Sequence, residues 1–181
     1  MPRSTGYPML SLFLTLAVST GLHAQSAAPD LSDPEVAHVA VTANSIDIDL
    51  AKLAQSRTGN RAVKQFATTM ITDHSAVNAQ ASALATKLGV TPKDNEVSQS
   101  LLKGASEARA AIDPLKGKAF DKAYIDREVA YHQAVLDALD QLLIPTTSNA
   151  ELKQLLVDVR PAIAAHLAHA KQLQSTVVAG K

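Results

Sequence analysis

Residues 61–88, RAVKQFATTMITDHSAVNAQASALATKL, decide the fold. Within them Val63, Ala67, Met70, His74, Val77, Ala81, Leu84 and Leu88 recur at alternating steps of four and three. That spacing holds side chains on one face of a helix with 3.6 residues per turn. Gly89 and then Pro92 end the pattern, as a left-handed cap and a residue that cannot continue a helix would. Seven members of the stripe are apolar and His74, near its middle, is not.

The same signature repeats on either side. Asp33-Pro34-Glu35 reads as an N-cap, a proline at the first helical position and an acid in the first turn, opening a helix that runs to about Arg57. Its stripe is Val36, Ala40, Ala43, Asp47, Leu50 and Ala54, and Thr58-Gly59-Asn60 ends it. A third long helix, from about Lys118 to Leu143, carries Ile125, Val129, His132, Leu136, Leu139 and Leu143 and stops at Ile144-Pro145. The fourth is capped by Ser148 or Asn149 and runs to about Val178, with Leu152, Leu156, Val159, Ile163, His166, Ala170, Leu173 and Val177 on its stripe and Pro161 inside it as an expected kink. A shorter helix, from about Glu96 to Ile112, falls between the second and third long ones and ends at Asp113-Pro114. No strand-like alternation and no internal repeat interrupts this. The chain is therefore read as an all-α bundle.

Composition narrows the function. The 181 residues carry 17 Lys+Arg against 17 Asp+Glu, no Cys, no Trp and 3% aromatic residues. One domain with a substantial core suits that length. Balanced charge argues against nucleic-acid binding, which draws on an excess of cations to neutralise phosphates. Without cysteine there is no disulfide framework, thiol nucleophile, Fe–S cluster or thiolate metal site. No Gly-x-Ser-x-Gly elbow or glycine-rich phosphate loop is present either.

The first residues read as an address. Arg3 precedes an apolar run from Met9 to Val18, and Leu22-His23-Ala24 supplies a small residue at the cut. Residues 1–24 are thus expected to be a signal peptide, 25–32 a flexible leader and 33–178 the bundle domain. The apolar run is too short for a transmembrane span, so the mature chain is expected to have none. Export to the periplasm, or association with the outer membrane, follows. Any contact with a membrane surface or an envelope partner falls most naturally to the short helix, where Leu101 and Leu102 stand beside Lys103, although packing as a crossover is the simpler use for it.

One ionisable residue interrupts each long stripe: Asp47, His74, His132 and His166. All four lie near mid-helix, so helices of similar length place them at one depth. Asp73 beside His74, Glu128 one turn before His132 and His169 one turn after His166 are near enough to join. Asp49, two residues from Asp47, should point away. A charge buried in an apolar layer costs several kcal/mol unless it is protonated, hydrogen-bonded or bound to metal. Two solutions compete. In the structural one, which the residue types favour, the imidazoles bond to Asp47, Asp73, Glu128, Tyr124 or Tyr131 and fix helix register. In the alternative, His74, His132 and His166 ligate a divalent transition metal, with Asp47 and Glu128 as added carboxylates, Asp73 orienting a ring and His169 within reach.

Val63-Lys64-Gln65-Phe66-Ala67 with Met70-Ile71-Thr72-Asp73-His74, Phe120-Asp121-Lys122-Ala123-Tyr124 with Val129 and His132, and Pro161 with His166-Leu167 and Ala170 resemble a secreted bacterial family, the domain-of-unknown-function family 4142. The resemblance spans about Val36 to Val178, and the Asp73-His74 pair is its most specific part. It implies a ferritin-like four-helix bundle with a long crossover, for which the segment from Val90 to Gly117 has the right position, and an outer-membrane or periplasmic setting. Asp47 and Asp49 stand where the family favours Glu. Ferritin chemistry does not come with the fold. A di-iron site uses Glu-x-x-His pairs, whereas Ile71, Val129 and Ile163 stand three residues before the three histidines. A site here would suit Zn²⁺, Cu²⁺ or Ni²⁺. The expectation is an exported, non-enzymatic bundle protein with a buried Asp/His layer, and metal binding by that layer as the alternative.

Overall fold

A computed structural model describes residues 30–178, so the expected signal peptide and most of the leader lie outside the described residues. Four long helices form the bundle: α1 (Asp33–Arg57), α2 (Arg61–Leu88), α4 (Gly117–Ala138) and α6 (Ala150–Val178), with α3 (Glu96–Ile112) in the crossover. α4 is extended by a π-helical turn, Leu139–Leu143, and a last short piece, α5 (Ile144–Thr146). The described residues contain no strand.

Local chemistry accounts for the ends. Asn60 caps α2, its side chain accepting from the backbone N–H groups of Ala62 and Val63 at 2.9 and 3.3 Å. Gly89 closes that helix at φ 64°, a left-handed conformation that other residues adopt only with strain. Replacing Asn60 with Ala is expected to cost about 1 kcal/mol, read as a lower urea midpoint with unchanged slope. The start of α1 differs from expectation: Ser32 is the cap, and the Glu35 carboxylate accepts from its N–H and hydroxyl at 3.0 and 2.6 Å. Those bonds, with Lys93, hold the Glu35 carboxyl down at about 2. Asp33 instead reaches across and accepts from the backbone N–H groups of Ser148 and Asn149, tying α1 to the start of α6.

The third long helix does not stop at Pro145. Proline has no N–H to donate and its ring crowds the carbonyl four residues back. Widening one turn to π-helix relieves that crowding, and the chain continues helically to Thr146.

Two apolar clusters fill the bundle. At one end Ala54 and Ala51 of α1 pack with Val63, Phe66 and Met70 of α2, Phe120 and Ile125 of α4, and Ala170 and Leu173 of α6. At the other, Leu31, Val36 and Val39 meet Leu136, Leu139, Leu143, Leu152, Leu156 and Ile163. Full burial of a side chain such as Phe66 stabilises by about 1.5–3 kcal/mol. The membership of the clusters sets direction: α2 and α4 run the same way, α1 and α6 the opposite way. Two parallel neighbours need a long connection, and residues 89–116 supply it, α3 lying along α1 with His38 against Ser98 at 2.8 Å and Arg57 against Asp113 at 3.3 Å. On α3, Leu101 packs on the second cluster while Leu102 is exposed.

Candidate metal centre

The polar layer lies between the two clusters. Each stripe delivers its ionisable residue to it: Asp47 from α1, His74 from α2, His132 from α4 and His166 from α6, joined by Glu128 one turn before His132. Asp47 and Glu128 are fully buried, and the three histidines are at most 7% exposed. The three rings lie 5.3, 5.5 and 5.7 Å apart, centroid to centroid.

Hydrogen bonding decides how the rings are presented. The Nδ1 of His74 donates to Asn44 Oδ1 at 2.6 Å, the Nδ1 of His132 to the Glu128 carbonyl at 3.0 Å, and the Nε2 of His166 to Asp73 Oδ2 at 2.9 Å. A neutral imidazole that donates from one nitrogen keeps a lone pair on the other. Those other nitrogens, His74 Nε2, His132 Nε2 and His166 Nδ1, are buried and have no hydrogen-bond partner, and neither have Asp47 Oδ2 and Glu128 Oε2. His74 Nε2 does approach Asp47 Oδ2 to 2.9 Å, but without hydrogen-bond alignment.

Electrostatics match that picture. Burial pushes His132 down to about 4 and also lowers His166, so both rings are neutral near pH 7. Burial raises Glu128, and the neighbouring Asp47 charge raises it further, so Glu128 holds a proton. For Asp47 burial acts in the same upward sense, but the contact with His74 leads the influences that outweigh it and the carboxyl lies well below the usual range. Arg127, only 12% exposed, faces this carboxylate, its Nη1 lying 3.1 Å from Glu128 Oε1 and 3.5 Å from Asp47 Oδ1 while its guanidinium sits 3.8 Å over the Tyr131 ring.

Two groups of three could each hold an ion: His74, His132 and His166, and Asp47, Glu128 and His132, the ligand atoms in each lying within 4.8 Å of one another. Around an ion with bonds of about 2.0–2.1 Å, tetrahedral ligands sit about 3.3 Å apart. The nitrogens would draw inwards by roughly 1.5 Å at most, within the reach of side-chain adjustment in a helical core. The donor set is imidazole and carboxylate, which suits Cu²⁺, Zn²⁺ or Ni²⁺.

Other residues fall differently from the sequence reading. Asp73 is half exposed and touches the layer through His166. His169 does not join: one turn beyond His166 it lies at the depth of the first cluster, its ring edge-on to Phe66 at 5.2 Å. Tyr131 donates to the Ala43 carbonyl and not to an imidazole, and the buried Tyr124 hydroxyl has no partner. Asp49 is exposed, as its offset from Asp47 requires. Asn44 and Arg127 were not among the candidates. Asn44 stands three residues before Asp47, on the same helix face, and that spacing was the available signal.

Fold and site together define an all-α bundle protein with a histidine and carboxylate layer in its core. The chain belongs to the family described as "Domain of unknown function (DUF4142)", whose model matches residues 19–173. It is similar in fold to a solved structure described as "CopM in the Cu(II)-bound form", with a TM-score of 0.61 at 14% identity over 82% of this chain and 99% of that one. Comparison with curated proteins finds no match.

Proposed function

We propose that this protein binds one divalent transition-metal ion, Cu²⁺ foremost, in the layer formed by His74, His132 and His166 with Asp47 beside them, and that it does so after export to the periplasm. One observation carries the reading: His74, His132 and His166 each offer a ring nitrogen within 4.8 Å of the others, and each ring keeps one buried nitrogen that makes no hydrogen bond among the described residues while its other nitrogen is held by an acceptor. Metal-ligating histidines are oriented in this manner by partners such as Asn44, the Glu128 carbonyl and Asp73. A purely structural layer would be expected to pair those nitrogens, since each buried polar atom left unpaired costs about 1–3 kcal/mol. Copper is placed first because it heads the affinity order for nitrogen and oxygen sites. CopM, a protein of similar fold, is known in a Cu(II)-bound form, which agrees with that choice. Export rests on the order of Arg3, the Met9–Val18 run and Ala24. Among the described residues no helix is long and apolar enough to cross a membrane.

The test is a titration of protein made without a histidine tag and stripped with chelator. One equivalent of Cu²⁺ by elemental analysis and a melting temperature that rises with metal and falls again with chelator are expected. Substoichiometric metal, with no change in melting on adding Cu²⁺, Zn²⁺ or Ni²⁺, would leave the layer a structural one.

A further inference from the structure

The stripe on α2 that opened the sequence reading is only half filled. Val63, Ala67, Met70 and His74 are buried, whereas Val77, Ala81, Leu84 and Leu88 remain partly exposed despite the same periodicity. They line a cavity of about 180 Å³ whose other walls are α1 through Ala40 and Ala43, α6 through Leu156 and Ile163, and Leu139 and Leu143 of the π turn.

The floor of this cavity backs on the polar layer. Asn44, Val77, Val135 and Ile163 line it, and each is three residues from Asp47, His74, His132 and His166 respectively, on the same side. Asn44 is shared between the two, since its Oδ1 receives the His74 N–H at 2.6 Å.

We propose that this cavity is a binding site for an uncharged aliphatic molecule. Its walls are mainly Ala, Val, Leu and Ile, together with Asn44, Ser82, Asn149, Pro92 and Asp33, with no aromatic ring, lysine, arginine or histidine among the described lining residues. The one formal charge, Asp33, is already engaged by the Ser148 and Asn149 N–H groups. An anionic headgroup therefore finds no counter-charge there, and a flat aromatic finds no ring to stack on. An enclosed apolar space of about 150 Å³ accepts benzene, so a space of about 180 Å³ has room for a small apolar ligand. Leu139 and Leu143 of the π turn form one wall of the space.

The experiment uses metal-free protein, so that its outcome is separate from that of the copper titration. With ¹³C-methyl labelling and n-octanol as the probe, saturable shifts are expected at Val77, Leu84, Val135 and Ile163. Octanoate is expected to bind at least tenfold more weakly. Ala81→Leu fills the cavity from α2 and is expected to weaken octanol at least tenfold without lowering the melting temperature. Ala40→Leu does the same from α1 and serves if the first variant fails to fold. No saturable shift in the wild-type protein, or shifts spread over both clusters, would overturn the proposal, as would octanol binding that both folded variants leave intact. Octanoate binding as tight as octanol would overturn the uncharged class of ligand.

Discussion

His132→Ala yields a folded protein that no longer gains stability from Cu²⁺. This histidine is the member common to both candidate ligand groups, so its loss breaks either arrangement. In the metal-free protein two effects oppose each other. Deleting a ring whose Nε2 is buried and unpaired removes a group that costs about 1–3 kcal/mol, while the vacated space costs a comparable amount. The metal-free variant is therefore expected to lie within about 2 kcal/mol of the wild type. With metal the difference is large. A ligand at a hundred times its dissociation constant stabilises by about 2.7 kcal/mol, which for a domain of this size is roughly 5–10 °C in melting temperature. The wild type should show that rise and the variant none. A variant that retains the full rise would remove His132 from the site. Asn44→Ala, which frees the His74 ring without deleting it, should weaken copper about 10–100-fold.

Arg127→Met is expected to cost about 3–5 kcal/mol of stability in the metal-free protein, the penalty for stripping the partner from a buried charge. Asp47 is fully buried and Arg127 is the one permanent cation within 4 Å of its carboxylate among the described residues. Methionine keeps much of the aliphatic stem, so the loss reports on charge more than on packing. Urea denaturation measures it, and against a total of about 5–15 kcal/mol the change is easily resolved. Adding Asp47→Asn should recover part of the loss, since an amide has no charge to strand. Copper should recover part as well, because a dication beside Asp47 replaces the missing guanidinium charge. A loss under about 1 kcal/mol would show that water reaches Asp47 in solution.

The open cavity has its physical origin in unequal side-chain volumes. The first cluster closes tightly because Ala51, Ala54, Ala67 and Ala170 allow close approach of the helices around Phe66, Phe120 and Tyr124. On the other side of the layer the large side chains of α6 and the π turn face Ala37, Ala40 and Ala43 of α1 and Ala81 and Ala85 of α2, and the walls do not meet. Pro161 stands on that stretch of α6 and has no N–H for the carbonyl of Val157.

Much of this protein is written locally. Periodicity in residues 61–88 and its three counterparts determines four amphipathic helices, and Asn60, Gly89 and Asn149 mark ends because their side chains or backbone freedom satisfy helix termini. The depth of Asp47, His74, His132 and His166 is equally legible, since a residue's position along a helix depends only on its number. Which nitrogen of each imidazole is free is a different matter. Only for His132 is the acceptor local, the Glu128 carbonyl one turn back. For His74 and His166 the free nitrogen is set by acceptors on other helices, Asn44 across 30 residues and Asp73 across 93, which no one stretch of chain determines. The same holds for Arg127, whose partner Asp47 lies 80 residues away, and for the cavity, which exists because four correctly patterned faces meet with unequal side-chain volumes.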